Sequence, residues 1–314
     1  MRCQSSVALL RRAIVAVLLA ACVGCASAGQ STAPASGVSV AAAQPAATAP
    51  STELPNRADS LKFLVFGDFG TGERPQYELG AQMSTLYGRF PFQMVALVGD
   101  NLYGSQRPQD FKTKFEVPYK PLLDAGVKFY ASLGNHDGRE QRYYKLFNMG
   151  GKLYYSYKAP KQDVRFIALE TTYLVPEQIK WLEEELKSAR EEWKIVYFHH
   201  PLYSSGGTHG SDLKLRETLE PLFVKYGVSV VFSGHDHIYE RMRPQNGIQY
   251  FVTGSGGKLR PGDYRRGQPF SARIVDNVQV FFAGEIFNDE MVFNVISRTG
   301  RVMDSGVITR RQGS

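Results

Sequence analysis

Cysteine is scarce in this sequence and confined to one end. Cys3, Cys22 and Cys25 all fall in the first 25 of 314 residues. A disulfide framework and a cysteine-rich zinc module are both excluded for the rest of the chain. The apolar run 13–23 is shorter than the roughly 20 residues that cross a bilayer as a helix. Charge of one sign is modest as well. The formal net charge is +7, with Arg2, Arg11 and Arg12 in a leader that carries no acid. Setting those three aside leaves about +4, a balance that does not argue for a nucleic-acid partner. What the chain does have is 43% hydrophobic, 12% aromatic and 21% charged residues. That composition and length exclude a disordered chain and a mini-protein, and predict a folded domain with a sizeable core.

Arg11 and Arg12 precede the apolar run and small residues follow it, the layout of a secretory signal peptide. Leu19-Ala20-Ala21-Cys22 resembles the bacterial lipobox, in which the cysteine is acylated and becomes the mature N-terminus. Residues 1–25 are therefore expected to be a leader of lipoprotein type. This sends the protein to the bacterial periplasm or outer membrane, held to the membrane by its lipid. The alternative is a freely secreted protein cut near Ala26-Ser27-Ala28. One acyl chain holds weakly, so lasting attachment needs more than one. Residues 26–60 are Ala, Pro, Ser, Thr and Gln, without a hydrophobic period and with almost no charge. They bury too little to offset their ordering entropy and read as a disordered tether to a domain at 61–312.

From residue 61 the pattern alternates. Apolar runs predict strands at 61–66, 94–98, 127–133, 154–157, 164–169, 195–198 and 228–232. Helices are expected at about 76–87, 176–191 and 213–226. The second of these has a proline near its start and Ile179, Leu182 and Leu186 on one face. The stretch before 127, broken by Pro118 and Pro121, is expected to be irregular. Beyond 232 the sequence turns β-rich, with runs at 248–253, 278–286, 291–296 and 302–308. The fold class is α/β, sheets packed together with helices outside.

Five of these strands run out into polar clusters: Gly67-Asp68-Phe69-Gly70, Gly99-Asp100-Asn101-Leu102-Tyr103, Gly134-Asn135-His136-Asp137, His199-His200-Pro201 and Gly234-His235-Asp236-His237. Sites form at that edge of open α/β sheets. Any one cluster is weak, because an Asp after a strand is more often a turn or cap residue. The histidines change the balance. All six, His136, His199, His200, His209, His235 and His237, lie in or beside these loops. Imidazole, carboxylate, amide oxygen and phenolate suit borderline-to-hard metals, and there are more donors than one tetrahedral ion needs.

The series GD-x-G, GD-x-x-Y, GNHD, V-x-x-H and GH-x-H runs in this order over roughly residues 61–244. It resembles the calcineurin-like metallophosphoesterases and, within them, the small single-domain purple acid phosphatases of tartrate-resistant type. A paired swap sharpens the resemblance. Most of the superfamily opens with D-x-H, whose histidine binds the first metal. Here that position is Gly70, and Tyr103 stands where purple acid phosphatases supply a tyrosine instead.

The resemblance implies a four-layer αββα sandwich of two mixed sheets flanked by helices, with a dinuclear site at the C-terminal strand ends. It implies that Asp68, Tyr103 and His237 hold the first metal, that Asn135, His199 and His235 hold the second, and that Asp100 bridges them. His136 and His209 are left for substrate contact and proton transfer. The phenolate favours Fe(III), with Fe(II), Zn(II) or Mn(II) as the second ion. The reaction implied is hydrolysis of small phosphate monoesters by a hydroxide on the metals, with a histidine as general acid. A phosphodiesterase or nucleotidase, and a surface lipoprotein that binds without turnover, stay open beside it.

His200 has no family role and is expected to be structural. Glu170 departs from the Asp expected there, which concerns loop detail. The extra N-terminal β domain of the large plant-type members has only the tether in its place. Gly254-Ser255-Gly256-Gly257-Lys258 lacks P-loop spacing and reads as a turn beside the site. Arg260, Arg265, Arg266 and Arg273 read as a solvated loop rather than a guide for anionic substrate.

Overall fold

A computed structural model describes residues 53–311. The expected leader at 1–25 and the tether up to residue 52 lie outside the described residues. The last residues assigned to the tether are not loose. Leu54 packs against the core, and the backbone N–H groups of Asn56 and Arg57 each donate to the Glu285 carboxylate at 2.6 Å. The folded part thus begins before residue 61, fastened by main-chain hydrogen bonds that composition does not reveal.

The first sheet holds β1 (Leu61–Phe66), β2 (Met94–Val98), β3 (Lys128–Ser132), β11 (Val280–Phe287), β12 (Glu290–Ser297) and β13 (Val302–Thr309), in the order β13-β12-β11-β1-β2-β3. β1, β2 and β3 are parallel and the rest pair antiparallel. The second holds β4 (Tyr155–Lys158), β5 (Val164–Ala168), β6 (Trp193–Tyr197), β7 (Val230–Ser233), β8 (Tyr239–Met242), β9 (Gln249–Thr253) and β10 (Ser271–Val275), in the order β10-β8-β9-β7-β6-β5-β4. Here β5, β6, β7 and β9 are parallel, and β4 and β8 join antiparallel.

Every residue of β1 is buried, because both of its faces are covered. Phe63 points at the second sheet, 5.4 Å from the Phe166 ring and 6.5 Å from Phe232. Phe66 points the other way, 5.5 Å from Tyr119. A strand covered on both faces shows as a continuous apolar run. Helix α1 (Arg74–Tyr87) adds Leu79, Met83 and Leu86 to that core. On the far side of the second sheet, α4 (Pro176–Ser188) and α5 (Leu213–Lys225) bury Leu182, Leu186, Leu215, Leu219 and Phe223 with Val196 and Val231. Two mixed sheets flanked by helices is the architecture expected.

The stretch read as irregular contains the short helices α2 (Pro108–Phe111) and α3 (Lys120–Asp124), separated by a π-turn at Lys112–Glu116. Pro108 and Pro121 sit in their first turns, where a missing N–H costs no bond. The prolines start helices there instead of preventing them. β8 and β10 went unread because charged residues interrupt them. In β8, Glu240 and Arg241 point to opposite faces and each has a partner, Ser205 and Asp304 respectively. The loops after β1, β2, β3, β6 and β7 meet at one edge, the C-terminal ends of the parallel strands of both sheets.

Candidate metal centre

The chain turns sharply where three of the parallel strands, β1, β2 and β7, end. Asp68, Asp100 and His235 have φ of +56°, +51° and +71°. The left-handed region is uncommon without glycine, and Asp and His enter it more readily than most residues. Such a conformation costs on the order of 1–3 kcal/mol and persists only where surrounding contacts impose it. The contacts here are hydrogen bonds between loops. Asp68 N–H donates to the Gly99 carbonyl at 3.0 Å, His235 N–H donates to Asp68 Oδ2 at 3.0 Å, and His136 N–H donates to Asp100 Oδ1 at 3.0 Å. The carboxylates of the site are thus also the braces that hold its loops.

The structure brings the expected ligand atoms together in two groups. In one, Tyr103 Oη lies 3.2 Å from Asp68 Oδ1 and 3.1 Å from His237 Nε2, and Asp68, Asp100 and His237 offer donor atoms within 4.8 Å of one another. In the other, His199 Nε2 lies 3.0 Å from Asn135 Oδ1, 3.1 Å from His235 Nδ1 and 3.4 Å from Asp100 Oδ1. Metal–ligand bonds of roughly 2.1 Å put neighbouring donors about 3.0–3.4 Å apart, so these separations are those of a coordination shell. His199 Nδ1 is 3.0 Å from the Val98 carbonyl. A carbonyl only accepts, so Nδ1 carries the proton and Nε2 keeps a free lone pair. Asp100 is the residue that reaches both groups.

Electrostatics agrees. Burial pushes the Asp68, Asp100 and Tyr103 acids above their ordinary values, and Asp100 adds to the effect on Asp68. Burial lowers His199, takes His235 down to about 2, and takes His237 down to about 4 with Arg260 adding to it. The histidines are neutral donors, and among the described residues no Lys or Arg forms an ion pair with the enclosed acids. Buried carboxylates beside neutral imidazoles are a donor set suited to cations. The residues fit two metal ions.

Residues 61–239 match the calcineurin-like phosphoesterase family. The chain belongs to that family. It is 27% identical to purple acid phosphatase 17 of Arabidopsis thaliana, over 67% of this chain and 72% of that one. It is 26% identical to tartrate-resistant acid phosphatase type 5 of Homo sapiens, over 82% and 95%. Among solved structures, the purple acid phosphatase PPD1 of yellow lupin seeds superposes with a TM-score of 0.67 at 22% identity, over 82% of this chain and 55% of that one. GAP50, the anchor in the inner membrane complex of Plasmodium, superposes with 0.69 at 19%, over 81% and 90%. Those two likenesses show the fold alone.

The remaining expected residues of this phosphoesterase are placed as follows. His136 and His209 are both exposed. The His136 ring stands 4.8 Å from Tyr103, beside the first group, and the His209 ring stands 3.9 Å from His235, beside the second. His200, given no role from sequence, has donor atoms close enough to those of His199 and His235 to form a metal-sized group. Its Nδ1 meets the Thr171 hydroxyl at 3.0 Å. Glu170, the departure from the family pattern, receives the N–H groups of Thr172 and Tyr173 at 2.7 and 3.0 Å, so it shapes the loop that presents Thr171.

Sequence reasoning passed over three supporting carboxylates. Asp137 accepts N–H groups from Gly134, Asn101 and Leu102, all within 3.0 Å, and ties the third loop to the second. Burial and Asp100 push its carboxyl up to about 7. Asp236 accepts from Ser204 Oγ at 2.5 Å and Gly210 N–H at 3.1 Å, and Glu240 accepts from Ser205 N–H at 2.7 Å. Together the last two fix the loop that carries His209. Asp137 and Asp236 stood inside recognised motifs, which was their only signal.

The glycine-rich turn at 254–258 lies against the first loop, as expected of a turn beside the site. Gly257 N–H and Lys258 N–H both donate to the Asp68 carbonyl at 3.0 Å. A Cβ on Gly257 would sit 2.3 Å from the Phe69 carbonyl oxygen. Gly257→Ala is therefore expected to cost about 1–3 kcal/mol by overpacking and to lower metal retention by displacing Asp68. Denaturant unfolding with metal analysis of the same sample checks both; unchanged metal content would separate this turn from the site.

Proposed function

We propose that this phosphoesterase is a purple acid phosphatase that hydrolyses small phosphate monoesters at an iron-containing dinuclear centre. The observation that carries the reading is Tyr103, whose Oη lies 3.2 Å from Asp68 and 3.1 Å from His237, with Gly70 in place of the usual histidine. The fold by itself does not carry it, because superposing folds serve a phosphatase and an anchor protein alike. Asp68, Tyr103 and His237 would hold Fe(III); Asn135, His199 and His235 would hold Fe(II), Zn(II) or Mn(II); Asp100 would bridge. When bound, the ions would supply Lewis acidity and a water of lowered pKa.

The chain's own groups do the rest. Lys258 Nζ, 5.1 Å from the Tyr103 ring, adds positive charge at the mouth, which favours entry of a phosphate dianion. Arg260 Nη1 lies 3.3 Å from His209 Nε2. A guanidinium only donates, so a neutral His209 meets it with the Nε2 lone pair and keeps its proton on Nδ1, from which it can hydrogen-bond the leaving-group oxygen. His136 is poised on the opposite side. Each of His136→Ala and His209→Ala is expected to lower kcat by about 10²–10⁴-fold with metal content unchanged. Turnover measured beside metal analysis checks this; loss of metal in either variant would make that histidine a ligand instead.

Purified holoprotein should contain iron and absorb broadly in the visible, from tyrosinate-to-iron charge transfer, and the colour should vanish in Tyr103→Phe. Its kcat/KM should be higher for a monoester than for a diester. A colourless, iron-free and fully active enzyme would refute the iron assignment. Diester preference would favour the phosphodiesterase alternative, and a metal-loaded protein without turnover on any ester would favour a binding role. The leader and lipobox belong to the same proposal, placing this activity outside the cytoplasm.

A further inference from the structure

The basic segment near residue 265, read from sequence as a solvated loop, is solvent-exposed, and its arginines gather around one open cavity. Arg243, Arg265, Arg266 and Arg273 line one open cavity of about 550 Å³, and among the described residues no acidic side chain lines it. None of the metal-centre residues lines it either. Among the described residues, none of these four guanidinium groups is in an ion pair, whereas the nearby Arg241 and Arg260 are, with Asp304 and Asp263.

Main-chain carbonyls hold three of the four arginines instead, and an aromatic ring lies beside the fourth. Arg243 Nη1 donates to the Pro269 carbonyl at 2.8 Å and to that of Ser271. Arg265 Nη2 donates to Gly207 at 3.1 Å, and Arg273 Nη2 to Met303 at 3.0 Å. Arg266 lies 5.8 Å from the Tyr264 ring. Carbonyls orient a guanidinium without neutralising it. Each group has five N–H donors; Arg243 spends donors on two carbonyls and Arg265 and Arg273 on one each, so most of each fork stays free. Four un-neutralised like charges around one cavity repel, and an oxyanion relieves that repulsion while filling the forks in pairs.

We propose that this cavity is a second anion site, distinct from the metal centre, that takes a phosphate oxyanion through its arginine forks. It does not rest on the phosphatase reading, since it uses none of the same residues. It adjoins the His209 loop all the same: Arg265 N–H donates to the Ser205 carbonyl at 2.7 Å, and Tyr264 bridges to Gly206. The oxyanion has two possible sources, a further phosphate on a multiply phosphorylated solute or the headgroup of an anionic lipid.

The test uses the metal-loaded full chain and two probes, inositol hexasulfate, which the enzyme cannot hydrolyse as a phosphate ester, and phosphatidylglycerol vesicles. Calorimetry should show a hexasulfate-binding event that weakens at least tenfold in Arg266→Gln/Arg273→Gln, while kcat and KM for a small monoester stay unchanged and report an intact fold. Arg266→Lys/Arg273→Lys should recover only part of the affinity, since it restores charge without the fork. Loss of hexasulfate binding alone identifies a soluble source; loss of vesicle co-sedimentation alone identifies a lipid source. The inference is overturned if the glutamine variant binds both probes as the unaltered protein does, or if the unaltered protein binds neither.

Discussion

Asp100→Asn is expected to abolish turnover and, in the same molecule, to stabilise the metal-free fold. Asp100 is fully enclosed and reaches both donor groups, being 3.4 Å from His199 Nε2 and part of the cluster with Asp68 and His237. Asparagine keeps the Oδ1 that receives the His136 N–H, so the loop geometry should survive. What is lost is the negative charge both ions would share. Removing one preorganised electrostatic group costs about 10²–10³-fold in kcat, and removing the bridge should cost at least about 10³-fold, with metal content falling in parallel.

The stability effect has the opposite sign. Burial raises the carboxyls of Asp68 and Asp100 above their ordinary value, and Asp100 raises Asp68 further. A folded value above the unfolded one, about 3.9, means that ionisation works against the fold. That penalty is complete above the folded values and absent below the unfolded value. Without metal, the advantage of Asp100→Asn should be greatest at neutral pH and shrink towards zero as pH falls to about 4. With metal, the order reverses. Each ion that binds only the folded state contributes about 4 kcal/mol at a thousandfold excess over its Kd, and the asparagine variant forgoes this. Urea unfolding between pH 4 and 7.5, with chelator and with metal, tests both halves. An asparagine variant less stable than the parent in chelator at neutral pH would remove the argument that this site is charged against its own fold.

The loops of the candidate site could be read from sequence because a mostly apolar strand has a sharp end, and the first polar residues after it are the ones the fold presents at the sheet edge. Asp68, Asp100, Asn135, His199 and His235 all stand at such ends; their roles as ligands came from the family resemblance. The tyrosine and the glycine needed a family pattern, because neither residue type by itself signals a metal. What stayed hidden depends on contacts distant in sequence. β8 is unrecognisable as a strand until Arg241 meets Asp304, 63 residues away. The tether is featureless as composition until Asn56 meets Glu285, 229 residues away. The left-handed turns at Asp68, Asp100 and His235 leave no mark in residue type. Arg243 is 22 residues from the nearest of the other three cavity arginines in sequence, so their grouping was out of reach of any reading by segments.

Gly70→His should fail to turn this site into the histidine-bearing type and should instead break the junction of two loops. A Cβ on residue 70 would lie 1.9 Å from the Asn101 carbonyl oxygen and 2.7 Å from Leu102 Cα. Those are backbone atoms, and they have nowhere to go: Asn101 is held by Asp137 through its N–H and its side chain, and Tyr103 N–H donates to the Gly70 carbonyl at 2.9 Å. That last bond also sets where the Tyr103 side chain starts. The absence of a side chain at 70 and the reach of the phenol at 103 are therefore two consequences of one close approach. A histidine at 70 needs the loops apart, and a tyrosine ligand at 103 needs them together. Even Gly70→Ala should destabilise by about 3 kcal/mol, at the upper end of overpacking, whereas Tyr103→Phe should unfold at nearly the parental denaturant concentration while losing bound metal. Adding Tyr103→Phe to Gly70→His should not rescue stability, because the clash is with backbone and not with the phenol. Guanidinium unfolding of the four variants decides it: a Gly70→Ala protein as stable as its parent would show that the loops part easily and that the two residues can be exchanged one at a time.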